Sequence, residues 1–280
     1  MRKLVLLIAS GAFLFSCNKG DEGDNNDAVT MTNISYGTSS QQAMDVYLPA
    51  GRSAATTKVM IMIHGGGWNV GDKSDFNAYV DTMKRREPEY AIFNLNYRLA
   101  TSSTLFPAQE NDIKAAVEFI YNKRNEYRIS DKFVLVGASA GAHLALLQGY
   151  KYTAPVKPKA IIDFFGPTDL SEMYNNPTNP FVQPLLFSVT GGTPATQTLI
   201  YQISSPLNYV TNQSSPTMIL HGGADFVVAP SQSVLLNNKL ATMNVAHQYV
   251  YYPTESHGWV GANLNDSFNK IQAFLAVYVN

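Results

Sequence analysis

KFVLVGASAGAHLA, residues 132–145, sets an apolar run against a glycine-flanked serine and then a stretch of small residues. Phe133 to Val136 predict a buried strand, and the residues after Gly141 predict a helix. The turn between them, Gly137-Ala138-Ser139-Ala140-Gly141, is a G-x-S-x-G in the strand–turn–helix context that this pattern requires. Gly137 and Gly141 leave room for strand and helix to close together. Such a turn holds the Ser139 hydroxyl at a helix N-terminus, where N–H groups and the helix dipole favour a developing anion. Ser139 is therefore a candidate nucleophile. A glycine turn after a strand can also open a dinucleotide-binding fold, but that needs G-x-G-x-x-G and an acidic residue about 20 positions on. Lys157, Lys159 and another strand pattern stand there instead.

Outward from this stretch, strand and helix patterns alternate. Ile34/Tyr36 and Met44/Val46/Leu48 predict an antiparallel strand pair at a sheet edge. Residues 59–63, 91–95, 160–165, 217–220 and 249–252 read as further strands; the first is apolar throughout, as in a strand covered on both faces. Helices are expected at 75–87, stopping before Pro88, around Ile113, Ala116, Val117 and Ile120, from Pro230 through Leu236, Leu240 and Met243, and along Phe268, Ile271, Leu275 and Tyr278. The alternation argues an α/β fold, a mostly parallel sheet with helices on both faces. Residues 171–206 break the pattern, with Asn, Pro and Thr among scattered apolar side chains. They predict a long cap or lid insertion.

A chain of 280 residues suffices for one large α/β core. A net charge of −1 and 15% charged residues give no electrostatic basis for binding nucleic acid or an acidic polymer. The one cysteine excludes intramolecular disulfides. Its position is informative: Met1-Arg2-Lys3 precedes an apolar run from Leu4 to Phe15, too short for an ordinary transmembrane helix, and then Leu14-Phe15-Ser16-Cys17. This layout resembles a bacterial lipoprotein signal, with an ordinary secretory signal and an incidental cysteine as the alternative. The resemblance implies cleavage after residue 16, a lipid on Cys17 as membrane partner, and a polar, disordered tether over 17–30. It implies export across the inner membrane and anchoring at the outer membrane, on its periplasmic or cell-surface face. The catalytic domain is then expected at 31–280.

A serine needs a base, a residue to orient that base, and N–H donors for an oxyanion. Each follows a predicted strand, and in open parallel sheets the carboxyl ends of the strands border the binding crevice. His257, in Ser256-His257-Gly258, is the expected base. His64 and His221 open glycine turns and read as loop braces, His143 as a packed helix residue, and His247 as an exposed strand residue. Asp225 is the expected orienting carboxylate, with Asp169 as its rival; Glu255 is too near His257 in sequence. His64-Gly65-Gly66-Gly67 offers backbone donors, and Gly66 and Gly67 with Ala140 are the expected oxyanion hole. Trp68 and Trp259 flank these motifs and read either as substrate-binding walls or as packing under the loops.

HGGGW, GASAG, HGGAD and SHGW together, in this order over roughly residues 31–280, resemble the α/β-hydrolase superfamily, in its hormone-sensitive-lipase-like and bacterial carbohydrate-esterase branches. The resemblance implies a serine esterase with an acyl-enzyme intermediate, no metal and no organic cofactor. It also implies structural roles for Tyr97-Arg98, Phe106-Pro107 and Asp112. With a surface anchor, it points to short-chain or aryl esters, such as acetyl or feruloyl groups on polysaccharide. An amidase or peptidase with the same triad and a non-catalytic ligand-binding fold stay open, as does oligomeric state. No H-E-x-x-H or paired-cysteine pattern suggests a metal.

Overall fold

The computed structural model describes residues 26–280. The expected signal peptide, Cys17 and most of the tether lie outside the described residues. Eight strands form one sheet: β1 (Val29–Ser35), β2 (Ala43–Leu48), β3 (Lys58–Ile63), β4 (Tyr90–Leu95), β5 (Phe133–Ala138), β6 (Ala160–Phe164), β7 (Thr217–Gly222) and β8 (His247–Tyr252). Their order is β1-β2-β4-β3-β5-β6-β7-β8. β2 runs antiparallel to β1 and to β4, and all other neighbours are parallel. β1 starts at Val29, so the ordered domain takes in the last two residues expected of the tether.

Strand alternation divides the core into two layers. Val59, Ile61, Ile63, Phe133 and Leu135 face one side, with Ile113 of α2 (Ala108–Asn122), Tyr127 of α3 (Arg124–Tyr127), Leu144 of α4 (Ala140–Lys151) and Leu236 of α8 (Pro230–Thr242). Met60, Met62, Val134 and Val136 face the other, with Val80 and Met83 of α1 (Asn77–Arg86) and Phe268 and Ile271 of α9 (Gly261–Tyr278). Both faces are covered, which is why the central strands carry unbroken apolar runs. The expected helix at 75–87 is a 3₁₀ turn, Lys73–Phe76, followed by α1; Glu87 leaves helical geometry just before Pro88.

Three further helices, α5 (Leu170–Asn175), α6 (Val182–Thr190) and α7 (Thr198–Ile203), build the 171–206 insertion. Spans of six to nine residues are too short to show a helical period in sequence. Their scattered apolar residues anchor them: Met173, Leu186 and Tyr201 are buried. Tyr97-Arg98 and Asp112 act structurally, as expected. The Asp112 carboxylate accepts from the Arg98 guanidinium and main chain and from Gln42.

The strand order places the site. From β3 the chain moves outward to β4, then returns to lay β5 on the opposite side of β3. The carboxyl ends of β3 and β5 therefore flank a topological switch point, where open α/β sheets bind ligands.

One buried group gives the fold a pH dependence. Asp163 on β6 is fully buried; its Oδ1 accepts the Gly166 N–H at 2.7 Å, and its Oδ2 has no hydrogen-bond partner among the described residues. Burial pushes this carboxyl up to about 7, against the opposing pull of the Gly166 N–H and of His221. The folded state thus holds this proton more tightly than the unfolded chain. The resulting stability is complete below the unfolded carboxylate range and is lost as pH rises through about 7. Asp163→Asn keeps an acceptor for Gly166 and removes the titration. Thermal unfolding should show the variant gaining stability relative to wild type as pH rises from about 4 to about 8, by on the order of a few kcal/mol in all; an offset equal at both pH values would contradict this.

Candidate active site

Ser139 sits between β5 and α4 with φ 55° and ψ −122°. A non-glycine residue at positive φ costs on the order of 1–3 kcal/mol, so its surroundings must enforce it. They do so by close approach. A Cβ on Gly137 would lie 2.3 Å from the Gly141 carbonyl carbon, and one on Gly141 would lie 2.1 Å from the Ile63 carbonyl oxygen. The Ser139 N–H donates to the Phe164 carbonyl at 2.8 Å, tying the turn to β6. Serine at a helix N-cap usually caps its own helix, but Ser139 makes no capping bond. Its Oγ lies 3.0 Å from His257 Nε2.

His257 Nδ1 lies 2.7 Å from Asp225 Oδ2. A carboxylate only accepts, so Nδ1 carries the hydrogen and Nε2 is left to accept from Ser139. The Asp225 side chain has no exposure, and its Oδ1 accepts the N–H groups of Val227 (2.8 Å) and Val228 (3.0 Å). Burial alone would raise this carboxyl, but the hydrogen bonds from His221, His257 and Val227 hold it well below the usual carboxylate range. Asp225 is thus ionised wherever the protein is folded near neutrality. Main-chain bonds dock its loop onto that of the histidine, Gly223 N–H to the Tyr252 carbonyl and Ala224 N–H to the Glu255 carbonyl. The rival Asp169 is placed elsewhere, as the N-cap of α5, accepting the Glu172 N–H at 3.0 Å.

After β3, Gly66 has φ 104°, and a Cβ there would lie 2.1 Å from the Val70 carbonyl oxygen. Its own carbonyl accepts from the N–H groups of Asn69 and Val70, closing a tight turn. Among the described residues, nothing accepts the N–H of Gly66, Gly67 or Ala140. Gly66 and Gly67 line the same cleft as Ser139 and His257. The turn is braced from behind. Tyr97 stacks on His64 at 4.4 Å and its hydroxyl donates to the His64 carbonyl. Trp68 Nε1–H donates to Nδ1 of the fully buried His143, whose Nε2–H donates to the Ser204 carbonyl at 2.6 Å. Burial pushes His143 down to about 4, so it stays neutral and can accept from Trp68.

The cleft is about 450 Å³. Met173 of α5 and Leu185 of α6 line it, so the insertion supplies part of its wall, as expected of a cap. Val227 and Val228, next to the acid, and Phe165 complete an apolar lining. These walls were not visible in sequence, although Met173 and Leu185 belong to the insertion's apolar set. Trp68 lines the cleft but is 1% exposed, so it backs the oxyanion turn more than it offers a face. Trp259 does not line the cleft. It is a core residue against Phe164, Phe165 and Tyr252, with Nε1–H donating to Ser267, and the substrate-binding reading of it is corrected. His64 and His221 do brace loops; His247 is only half-buried, with Nδ1 at the Val245 carbonyl. No cluster of three metal-binding side chains occurs among the described residues.

The BD-FAE family model matches residues 44–240. The chain is 22% identical to Esterase LipC of Mycobacterium tuberculosis, covering 86% of this chain and 64% of that protein. It is 26% identical to Esterase LipQ of the same organism, covering 83% of this chain and 58% of that one. It thus spans less than two thirds of these relatives. The solved structure of a bifunctional GH43-CE from Bacteroides eggerthii superposes with a TM-score of 0.79 at 24% identity, over 90% of this chain and 35% of that one. The fold is that of the α/β-hydrolases.

The geometry predicts a single reactive hydroxyl. A fluorophosphonate should label the protein once, at Ser139, as read by intact mass and peptide mapping. Ser139→Ala should abolish labelling, Asp225→Asn should slow it by on the order of 10³-fold or more, and Asp169→Asn should leave it within about twofold. Labelling at another serine would contradict the assignment.

Proposed function

The chain belongs to the BD-FAE family, and from that premise we propose that it is a serine carboxylic-ester hydrolase. The observation that carries the proposal is the continuous relay from Ser139 Oγ to His257 (3.0 Å) and from His257 to Asp225 (2.7 Å). As Ser139 Oγ attacks the ester carbonyl carbon, its proton passes to His257 Nε2. Asp225 stays ionised and stabilises the imidazolium. The carbonyl oxygen, now anionic, takes hydrogen bonds from the N–H groups of Gly66, Gly67 and Ala140, each such donor being worth on the order of 3 kcal/mol in the transition state. On collapse the alcohol leaves with the proton from His257, and Ser139 carries the acyl group. Water then repeats the cycle, His257 acting first as base and then as acid. Every group required is a side chain or N–H of this chain, so the mechanism uses no cofactor.

The cleft's chemistry supports a class of substrate. Apart from His257, none of its lining side chains carries a titratable group, and about 450 Å³ suits a short acyl chain or an aryl acyl group. Acetyl or feruloyl groups on polysaccharide fit this description, and the bifunctional GH43-CE is a structural neighbour. The proposal extends to location, as a lipid-anchored exported protein, supported by the basic start, the apolar run from Leu4 and the Leu14-Phe15-Ser16-Cys17 stretch.

A panel of acetyl, feruloyl and long-chain esters, with a matched anilide, tests this reading. Acetyl or feruloyl esters should turn over fastest and the anilide far more slowly, and Ser139→Ala should lose on the order of 10⁵-fold in kcat. Anilide turnover matching the ester, or full activity in Ser139→Ala, would contradict it. Cys17→Ser in the exporting host should move the protein from the membrane to the soluble fraction without changing kcat; continued anchoring would refute lipidation.

A further inference from the structure

A second imidazole meets the triad carboxylate. His221 Nε2 lies 3.2 Å from Asp225 Oδ2, the oxygen that also receives His257 Nδ1–H. The same Nε2 lies 3.0 Å from the Val228 carbonyl, and Nδ1 lies 2.6 Å from Ser233 Oγ on α8. The tautomer follows from these partners. Nε2 faces two groups that only accept, so Nε2 carries the hydrogen, and the Ser233 hydroxyl donates to Nδ1. His221 has no exposure, so no water can replace any of these contacts without rearrangement.

We infer that His221 is a positioning residue for ester hydrolysis, setting the plane of the Asp225 carboxylate through its Nε2–H. The inference rests on the esterase reading of the site. Its physical basis is a difference in rigidity. His221 lies within β7 and is paired with Tyr251 across the ladder to β8, whereas Asp225 sits on the loop beyond the strand. Two donors on Oδ1, from Val227 and Val228, belong to that same loop and move with it. His221 is the contact that ties the carboxylate to the sheet. With it, each carboxylate oxygen has two donors, and the carboxylate's rotation about χ2 is fixed from both sides. Ser233 acts one step further out, holding the imidazole in the tautomer that donates. The other tautomer would turn a lone pair onto an anionic oxygen.

The test compares His221→Leu, which removes the donor, with His221→Gln, whose amide N–H reaches the region of Nε2. Each is made alone and in an Asp225→Asn background, with p-nitrophenyl acetate as substrate. His221→Leu should lower kcat on the order of tenfold, with KM within about twofold, since one hydrogen bond to a charged group is at stake. His221→Gln should recover most of the loss. In the Asp225→Asn background the same changes should have no further effect, because the residue acts only through that carboxylate. An equal loss in both backgrounds, or an unchanged kcat in His221→Leu, would overturn the inference. Should His221→Leu not fold, Ser233→Ala carries the same comparison, with a smaller loss expected in the wild-type background and none beside Asp225→Asn. Should wild type show no turnover that Ser139→Ala abolishes, the esterase reading fails by itself. The inference is then read from the far-downfield proton resonance of the His257–Asp225 hydrogen bond, assigned by its disappearance in Asp225→Asn. His221→Leu should shift or broaden it, and an unchanged resonance would overturn the positioning role.

Discussion

The site depends on how closely α4 approaches the ends of β3 and β5. Gly141 lies against the Ile63 carbonyl, and Gly137 lies against Gly141. Any side chain at either position would push the helix away from the sheet. With the helix seated, Ser139 has no ordinary backbone conformation available and adopts φ 55°. The strain is local, but its support is distributed. It is opposed by α4, buried from Ala140 to Tyr150, by the ladder of β3 with β5, and by the Ser139 N–H bond to β6. A hydroxyl held this way meets an imidazole and main-chain donors that other strands deliver to the same rim.

The five histidines show how environment divides one residue type among tasks. His64 stacks on Tyr97 and supports the turn that carries Gly66. His143 is kept neutral by burial and links that turn to the end of the insertion through Trp68 and Ser204. His221 braces the acid loop, and His247 sits at the start of an edge strand. His257 alone is both exposed to the cleft and bonded to a buried carboxylate. The role of each is set by what its two nitrogens face.

Much of this was legible in sequence because the informative residues are local. A buried strand shows as an apolar run, and a sharp turn shows as glycine, so β3, β5, β7 and the loops after them could be placed from short windows. Asp225 is also the acid the sequence favours, but short windows do not exclude Asp169, since both follow strands. The choice is decided by a hydrogen bond across 32 residues and by the capping of α5. Trp259 misled for a similar reason. Two positions from His257 in sequence, its ring turns into the layer under α9, where Ser267 accepts its N–H. The insertion hid its helices because they are short and fixed by packing, with Met173 and Leu185 reaching the cleft from separate segments.

Ser139, His257, Asp225 and the N–H groups of Gly66, Gly67 and Ala140 thus act together on one ester carbonyl. The most direct measurement is a crystal structure of the protein inactivated by a short-chain alkyl phosphonate, whose phosphorus stands in for the tetrahedral carbon. Ser139 Oγ should be bonded to phosphorus, with the phosphoryl oxygen within hydrogen-bond distance of those N–H groups and His257 Nε2 facing the oxygen of the departed or remaining alcohol. A phosphoryl oxygen turned to solvent, with the glycine turn unengaged, would contradict this joint action.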